Sequence, residues 1–208
     1  MEVRISIVQA LPKLSADELR AAVRNEYADV ATDPEKGYHF HTGRDAADRL
    51  HYDPSLYEQL PERNIASFAG TGNPFLGGEL QPGETVIDAG SGAGFDALIA
   101  GVMVGPQGSV VGIDMTPEML EKGRAGTAEM GADQVEFRDG LVEDLPLPDN
   151  YADVLISNGV LNLTMDKVAT LKEWLRVIKP GGRLQIGDIL VTRTIPSSAL
   201  DDITLWTG

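Results

Sequence analysis

The sequence predicts an α/β fold, a mostly parallel sheet with helices on both faces, with a helical N-terminal cap or lid over residues 1–80 and the core in 81–208. Three observations carry that expectation. From Gln81-Pro82-Gly83 onward, short apolar β-branched runs alternate with stretches of helical period, the pattern of parallel strands joined by right-handed crossovers. The first run, Thr85-Val86-Ile87-Asp88-Ala89, passes directly into Gly90-Ser91-Gly92-Ala93-Gly94 and then a helix. The second run ends in an acid, Asp114, twenty residues after Gly94.

Ser15 and Glu18 have capping-box spacing, and Leu19, Val23, Tyr27 and Val30 recur near helical period. A helix with a packing role is expected over 15–31, ended by Asp33-Pro34. Residues 37–80 read as irregular, with short helical pieces punctuated by Pro54, Pro61 and Gly70-Thr71-Gly72-Asn73-Pro74. In the core, a strand at 85–89 leads to a helix at 94–104, apolar nearly all round and therefore buried. Gly105-Pro106-Gln107-Gly108 turns the chain into a strand at 109–114. Thr116 as a capping side chain and Pro117 at the first helical position start the next helix. Gly123 and Gly126 each weaken it by about 1 kcal/mol relative to alanine. Further strands are expected at 134–138 and 152–157. Val168, Leu171, Leu175 and Ile178 set the apolar stripe of the following helix, which Pro180-Gly181-Gly182 stops before a strand at 183–189.

The chain has 208 residues, enough for one core of about 150 residues and an attachment, so a single catalytic domain is expected. A formal net charge of −15 opposes binding to phosphate backbones or anionic membranes and favours a small-molecule substrate. The longest apolar run, 97–104, contains Gly101 and is too short to span a bilayer. No basic N-terminal segment leads into an apolar stretch, so a soluble, cytoplasmic protein is expected. Without cysteine there is no disulfide, thiolate metal site or cysteine nucleophile. His39, His41 and His51 are too few for a zinc constellation, and no metal is assigned. The sequence sets no oligomeric state.

The glycine-rich turn carries the chemistry. An apolar strand feeding alternate glycines and then a helix lets backbone approach a ligand closely, since side chains at those positions would collide with it. Asp114 supplies carboxylate oxygens for ribose hydroxyls, so a nucleotide-type cofactor is expected. Dinucleotide enzymes read G-x-G-x-x-G, with the pyrophosphate at the helix N-terminus. Here Asp88, Gly90, Gly92 and Gly94 read D-x-G-x-G-x-G instead.

That spacing resembles motif I of class I S-adenosylmethionine-dependent methyltransferases. Asp149-Asn150-Tyr151-Ala152-Asp153-Val154-Leu155-Ile156-Ser157-Asn158 resembles their motif IV, and Val177-Ile178-Lys179-Pro180-Gly181-Gly182-Arg183-Leu184 their fifth strand with its preceding turn. Gly92-Ala93-Gly94-Phe95-Asp96, Asp114-Met115-Thr116-Pro117-Glu118-Met119 and Ser157-Asn158-Gly159-Val160-Leu161-Asn162-Leu163 are closest to the arsenite methyltransferase group. The similarity covers about residues 65–195. It implies the Rossmann-like class I fold, S-adenosylmethionine as cofactor and S-adenosylhomocysteine as product. It places the methionyl part over Gly90, Ser91, Gly92 and Gly94, with Asp88 near the ammonium group. Asp114, with Met115 beside it, takes the ribose. Many relatives have an acid for the adenine amino group where this chain has Leu141, and Val142 backbone and Glu143 stand in for it. Ser157 and Asn158 orient the methionyl end or the substrate.

Two departures qualify the resemblance. Arsenite methyltransferases hold arsenic on cysteine thiolates, whereas this chain has Thr71 and Gly159 at two of those positions, so the cofactor site is carried over and the arsenic site is not. Class I folds close the sheet with an antiparallel hairpin after the fifth strand, and only residues 190–208 remain for it. The hairpin is expected to be missing and the chain to be a fragment.

The reaction implied is in-line displacement of the sulfonium methyl group by a nucleophile on a small acceptor, with positioning supplying much of the rate. A hydroxyl nucleophile would need a base. His39 and His41, in a glycine-bracketed segment expected to lie over the open end of the sheet, are the candidates. Residues 37–52 are expected to close over the cofactor, and Trp174 and Trp206 to pack. A non-catalytic module binding S-adenosylmethionine or S-adenosylhomocysteine is the alternative, and a nicotinamide oxidoreductase is disfavoured by the loop spacing.

Overall fold

The computed structural model describes residues 15–190 and Thr192. The cap comprises helices α1 (Ala16–Thr32), α2 (Gly43–Arg49), α3 (Pro54–Tyr57) and α4 (Glu62–Ala66) and a 3-10 turn at Pro74–Gly77. The core alternates strands β1 (Thr85–Ala89), β2 (Ser109–Asp114), β3 (Val135–Asp139), β4 (Ala152–Asn158) and β5 (Ile178–Gly187) with helices α5 (Phe95–Val104), α6 (Pro117–Met130) and α7 (Lys167–Val177). The sheet order is β3-β2-β1-β4-β5, all pairs parallel. Topology thus places the chain reversal between β1 and β4, and the carboxyl ends of β1, β2 and β4 open side by side, where ligands bind in such sheets.

Both faces of the sheet are buried, which is why its strands read as apolar runs. Val86, Val110, Val154 and Ile156 face α5 and the cap, in one cluster with Tyr52, Tyr57, Leu60, Ile65 and Phe68. Ile87, Val111, Ile113 and Leu155 face the other way, onto Leu145, Leu147 and Trp174. The capping box of α1 is formed, with Glu18 N–H donating to Ser15 Oγ at 3.3 Å and Ser15 N–H to Glu18 Oε2 at 2.8 Å.

Several elements differ in detail from expectation. Thr116 makes no side-chain cap on α6; its N–H is taken by Asp114 Oδ1 at 2.8 Å, and Pro117 alone sets the helix start. Gly123 and Gly126 are contact sites. A Cβ on Gly123 would lie 2.9 Å from the Phe137 ring and one on Gly126 2.5 Å from Asn64 Oδ1, so α6 approaches β3 and the cap through them. The buried face of α7 is Thr170, Trp174 and Val177, while Val168 and Leu175 are exposed. Leu171 packs beside Trp174 and Ile178 is buried at the start of β5, so half of the expected stripe faces the core, while the polar Thr170 joins it with its hydroxyl bonded back to Asp166 O. β5 begins at Ile178, before Pro180-Gly181-Gly182. Residues 179–182 bulge out between the pairs Ala152↔Ile178 and Val154↔Arg183, and the strand resumes. Trp206 and the stretch in which the missing hairpin was expected lie outside the described residues.

Candidate active site

One cavity lies at the carboxyl ends of β1, β2 and β4. The turn after β1 is built against β2: Gly90 and Ser91 N–H both donate to Ile113 O, at 2.8 and 3.0 Å, and Gly92 N–H donates to Asp114 Oδ2 at 2.8 Å. Gly90 has φ +79°, and a Cβ there would sit 2.4 Å from Val160 Cγ2, so both conformation and space require glycine. Ser91 is 8% exposed and lines the cavity, and its hydroxyl has no partner. A buried hydroxyl on a cavity wall costs free energy until a ligand or water bonds it.

Three carboxylates follow. Asp114 lines the cavity with each oxygen already accepting one backbone N–H, from Gly92 and Thr116, and each keeps further acceptor capacity. Burial raises its carboxyl above the usual range against those two bonds. Asp96, in the first turn of α5, also faces the cavity; Tyr52 Oη donates to its Oδ1 at 2.6 Å and Asn158 Nδ2 to its Oδ2 at 2.9 Å. Burial pushes this carboxyl up to about 6 despite both bonds. Asp88 lies behind the turn, 2% exposed, with Oδ2 unpartnered; burial, then the charges of Asp96 and Asp114, hold it well above the carboxylate range. A cation in this cavity would favour the ionised forms of Asp96 and Asp114, which line it.

The remaining walls come from three segments. Met115 and then Val142 and Glu143 lie along one side, with Trp174 Nε1 donating to Val142 O at 2.9 Å. Arg20, Val23 and Tyr27 of α1 cover the cavity, and Arg20 pairs with Glu143 at 3.3 Å. Gly70, Asn158, Gly159 and Val160 complete the wall, with Val160 packed against Gly90 of the glycine turn.

Of the residues expected at the cofactor, the structure brings Gly90, Ser91, Gly92, Asp114, Met115, Val142, Glu143 and Asn158 to the cavity. Asp88, Gly94 and Ser157 stand behind it: a Cβ on Gly94 would meet Phe137, and Ser157 Oγ donates to Ala89 O at 3.0 Å. His39 and His41 are exposed and off the cavity wall. No residue of the segment expected to close over the site lines the cavity: Phe40 stacks on Tyr27 of α1, Tyr38 stacks on Phe40, and His39 meets Phe40 edge-on at 5.0 Å. Thr71 and Gly159 are adjacent, with a Cβ on Gly159 falling 3.0 Å from Thr71 Oγ1. Among the described residues no cluster of three or more His, Asp or Glu is placed to hold a metal ion, and no helix is long and apolar enough to cross a membrane. Sequence reasoning missed the wall residues of α1 and the roles of Asp96 and Tyr52. An amphipathic pattern marks a buried side chain without saying whether it meets core or ligand.

A family model described as a methyltransferase domain matches residues 80–206. An arsenite methyltransferase of Halobacterium salinarum is 38% identical over 206 residues, covering 92% of this chain and 52% of that protein. The structure of an arsenic(III) S-adenosylmethionine methyltransferase from Chlamydomonas reinhardtii superposes with a TM-score of 0.65 at 35% identity, covering 70% of this chain and 51% of that one. A S-adenosylmethionine-dependent methyltransferase from Aquifex aeolicus gives a TM-score of 0.54 at 27% identity, over 71% and 80% of the two chains. The chain spans about half the length of the curated relative it matches.

Proposed function

Since the chain belongs to the class I S-adenosylmethionine-dependent methyltransferases, we propose that it transfers the cofactor's methyl group to a small-molecule acceptor by in-line displacement. The observation that carries this is the cavity wall itself: an unpartnered buried Ser91 hydroxyl beside a glycine turn, with Asp96 and Asp114 facing the same space. Those groups fit a ligand that combines hydroxyls with positive charge, as S-adenosylmethionine does.

Bound cofactor supplies a methyl group on a positively charged sulfur. Asp114 accepts from the ribose, with the Gly92 and Thr116 N–H groups fixing its orientation. Ser91 donates into the same ligand. Asp96, together with Asp114, provides the negative potential that holds a cation in a low-dielectric site. Val142, held by Trp174, and Met115 provide apolar surface for the adenine. Arg20, Val23 and Tyr27 exclude water from above. The acceptor enters on the side of Gly70 and Gly159, beside Asn158. Holding two reactants in line is worth effective molarities of about 10⁵–10⁸ M, so alignment by this wall provides much of the rate.

Titration calorimetry tests the reading. S-adenosylmethionine and S-adenosylhomocysteine should bind and NAD should not. Asp114→Ala should lose about 1.5–3 kcal/mol of binding free energy, the loss of a charge-assisted acceptor. Equal affinity of wild type and variant would remove the ribose assignment, and preference for NAD would remove the cofactor.

A further inference from the structure

Beneath the acceptor side of the cavity, a buried hydrogen-bond unit joins three distant segments. Asn158, at the end of β4, accepts at Oδ1 from the backbone N–H groups of Thr71 and Gly72, both at 2.9 Å. That fixes the amide orientation and leaves Nδ2 as donor. Nδ2 lies 2.9 Å from Asp96 Oδ2, 2.8 Å from Gly72 O and 2.9 Å from Tyr52 Oη. An amide has two hydrogens, and the carboxylate and carbonyl can only accept, so they take both. Tyr52 Oη then gives its own hydrogen to Asp96 Oδ1 at 2.6 Å. Its ring is held edge-on by Phe68, Phe75 and Phe95 at 5.3, 6.1 and 5.1 Å.

The segment so bound is a strap, residues 70–72, packed too closely for a side chain at Gly70 or Gly72. A Cβ on Gly70 would lie 2.4 Å from Asn158 Nδ2, and one on Gly72 2.7 Å from Gly187 Cα. Gly70 and Asn158 face the cavity, whereas Tyr52 does not. Tyr52 therefore acts on the site through its hydrogen bonds to Asp96, to Asn158 and, at 3.3 Å, to Gly72 O of the strap.

We propose that Tyr52, Asp96 and Asn158 form a positioning unit for methyl transfer, clamping the Gly70-Thr71-Gly72 strap as an acceptor-side wall of the cavity. This rests on reading the cavity as the S-adenosylmethionine site. Tyr52 lies outside the segment matched by the methyltransferase-domain model, so the unit makes the cap part of the site's geometry. In-line displacement tolerates little misplacement of the acceptor, since about 1 Å costs on the order of a hundredfold in rate.

The test uses Tyr52→Phe, which keeps the ring and its packing and removes one donor, and Asp96→Asn, which leaves one acceptor oxygen where Tyr52 and Asn158 each had one. Amide exchange is measured on ligand-free protein and S-adenosylhomocysteine affinity by calorimetry. In either variant, Thr71 and Gly72 amides should lose roughly tenfold in protection, the equivalent of one hydrogen bond. Ile87 and Val111 amides in the sheet should keep theirs. Affinity for S-adenosylhomocysteine should fall far less in Tyr52→Phe than in Asp114→Ala. Unchanged protection at Thr71 and Gly72 in both variants would overturn the proposal, as would an equal loss in the sheet, which marks general destabilisation. If S-adenosylhomocysteine gives no binding heat with wild type, the cofactor reading falls and the catalytic purpose of the unit with it. The exchange arm, run without ligand, still reports whether the clamp exists.

Discussion

Asp96 shows how burial and hydrogen bonding contend at a single residue. Two donors, Tyr52 Oη and Asn158 Nδ2, favour its ionised form, yet desolvation outweighs them and the carboxyl sits at about 6. An unfolded aspartate titrates near about 4, so the folded state binds this proton more tightly. The stability linked to the group is therefore fully present below about pH 4 and is lost as pH rises through about 6. Chemical denaturation of wild type and Asp96→Asn from about pH 4 to about pH 7.5 should show the variant gaining on wild type across that window and the difference levelling above it. A pH-independent difference would return Asp96 to the ordinary carboxylate range. Asp88 shifts the same way from burial and neighbouring charge; the motif put it near the ammonium group, and the structure sets it behind the glycine turn. The signal that a third acid, Asp96, reached the cavity lay in the helix that follows the glycines, where helical phase decides which side chain faces a ligand.

Helix α1 carries a role that its sequence pattern does not separate from packing. Leu19, Val23, Val30 and Ala31 are buried as the amphipathic period requires, and Arg20, Val23 and Tyr27 also line the cavity. The glycine-bracketed segment after it, which carries His39 and His41, stacks on Tyr27 of α1 through Phe40, with Tyr38 on Phe40, and none of residues 37–52 lines the cavity. Exchange measured with and without S-adenosylhomocysteine should therefore show protection gained over residues 20–27 and at the glycine turn, with residues 37–52 unchanged. Protection over 37–52 without any over α1 would restore that segment as the lid. Helix α6 makes a related point. Its glycines read as weak helix formers, and the structure shows them as the contact line that lets Phe137 and Asn64 approach. Propensity reports the cost of glycine in a helix, and only the neighbours reveal the return.

For the molecule as a whole, cap and core share one apolar cluster, from Ala46 and Tyr57 in the cap to Leu98 and Ile156 in the core. Where they meet, Gly70 of the strap and Asn158 at the end of β4 form part of the cavity wall. Side-chain chemistry there is sparse: Thr71 and Gly159 stand side by side, and the chain contains no cysteine. Trivalent arsenic is thiophilic, and hydroxyl or backbone oxygen makes a poor substitute for thiolate. Purified protein supplied with S-adenosylmethionine and arsenite should therefore yield no methylated arsenicals, measured by separation and elemental detection. Product that disappears in Asp114→Ala would show that arsenite is accepted by a route independent of protein thiolates.

The sheet, its strand sequence and the cofactor turn were determined by local chemistry: β-branched runs buried on two faces, glycines where backbone must approach a ligand, and an acid at the end of β2. These features repeat over a few residues, so they are visible along the chain. The cavity roof from α1, the clamp that joins Tyr52 to Asp96 and Asn158, and the exposure of His39 and His41 were decided only by tertiary structure. Tyr52 and Asn158 are 106 residues apart, yet their side chains approach to 2.9 Å. Nothing in either local sequence encodes that meeting. It arises because the cap folds onto the same sheet face as α5, bringing an aromatic hydroxyl to a buried carboxylate that has capacity to accept it.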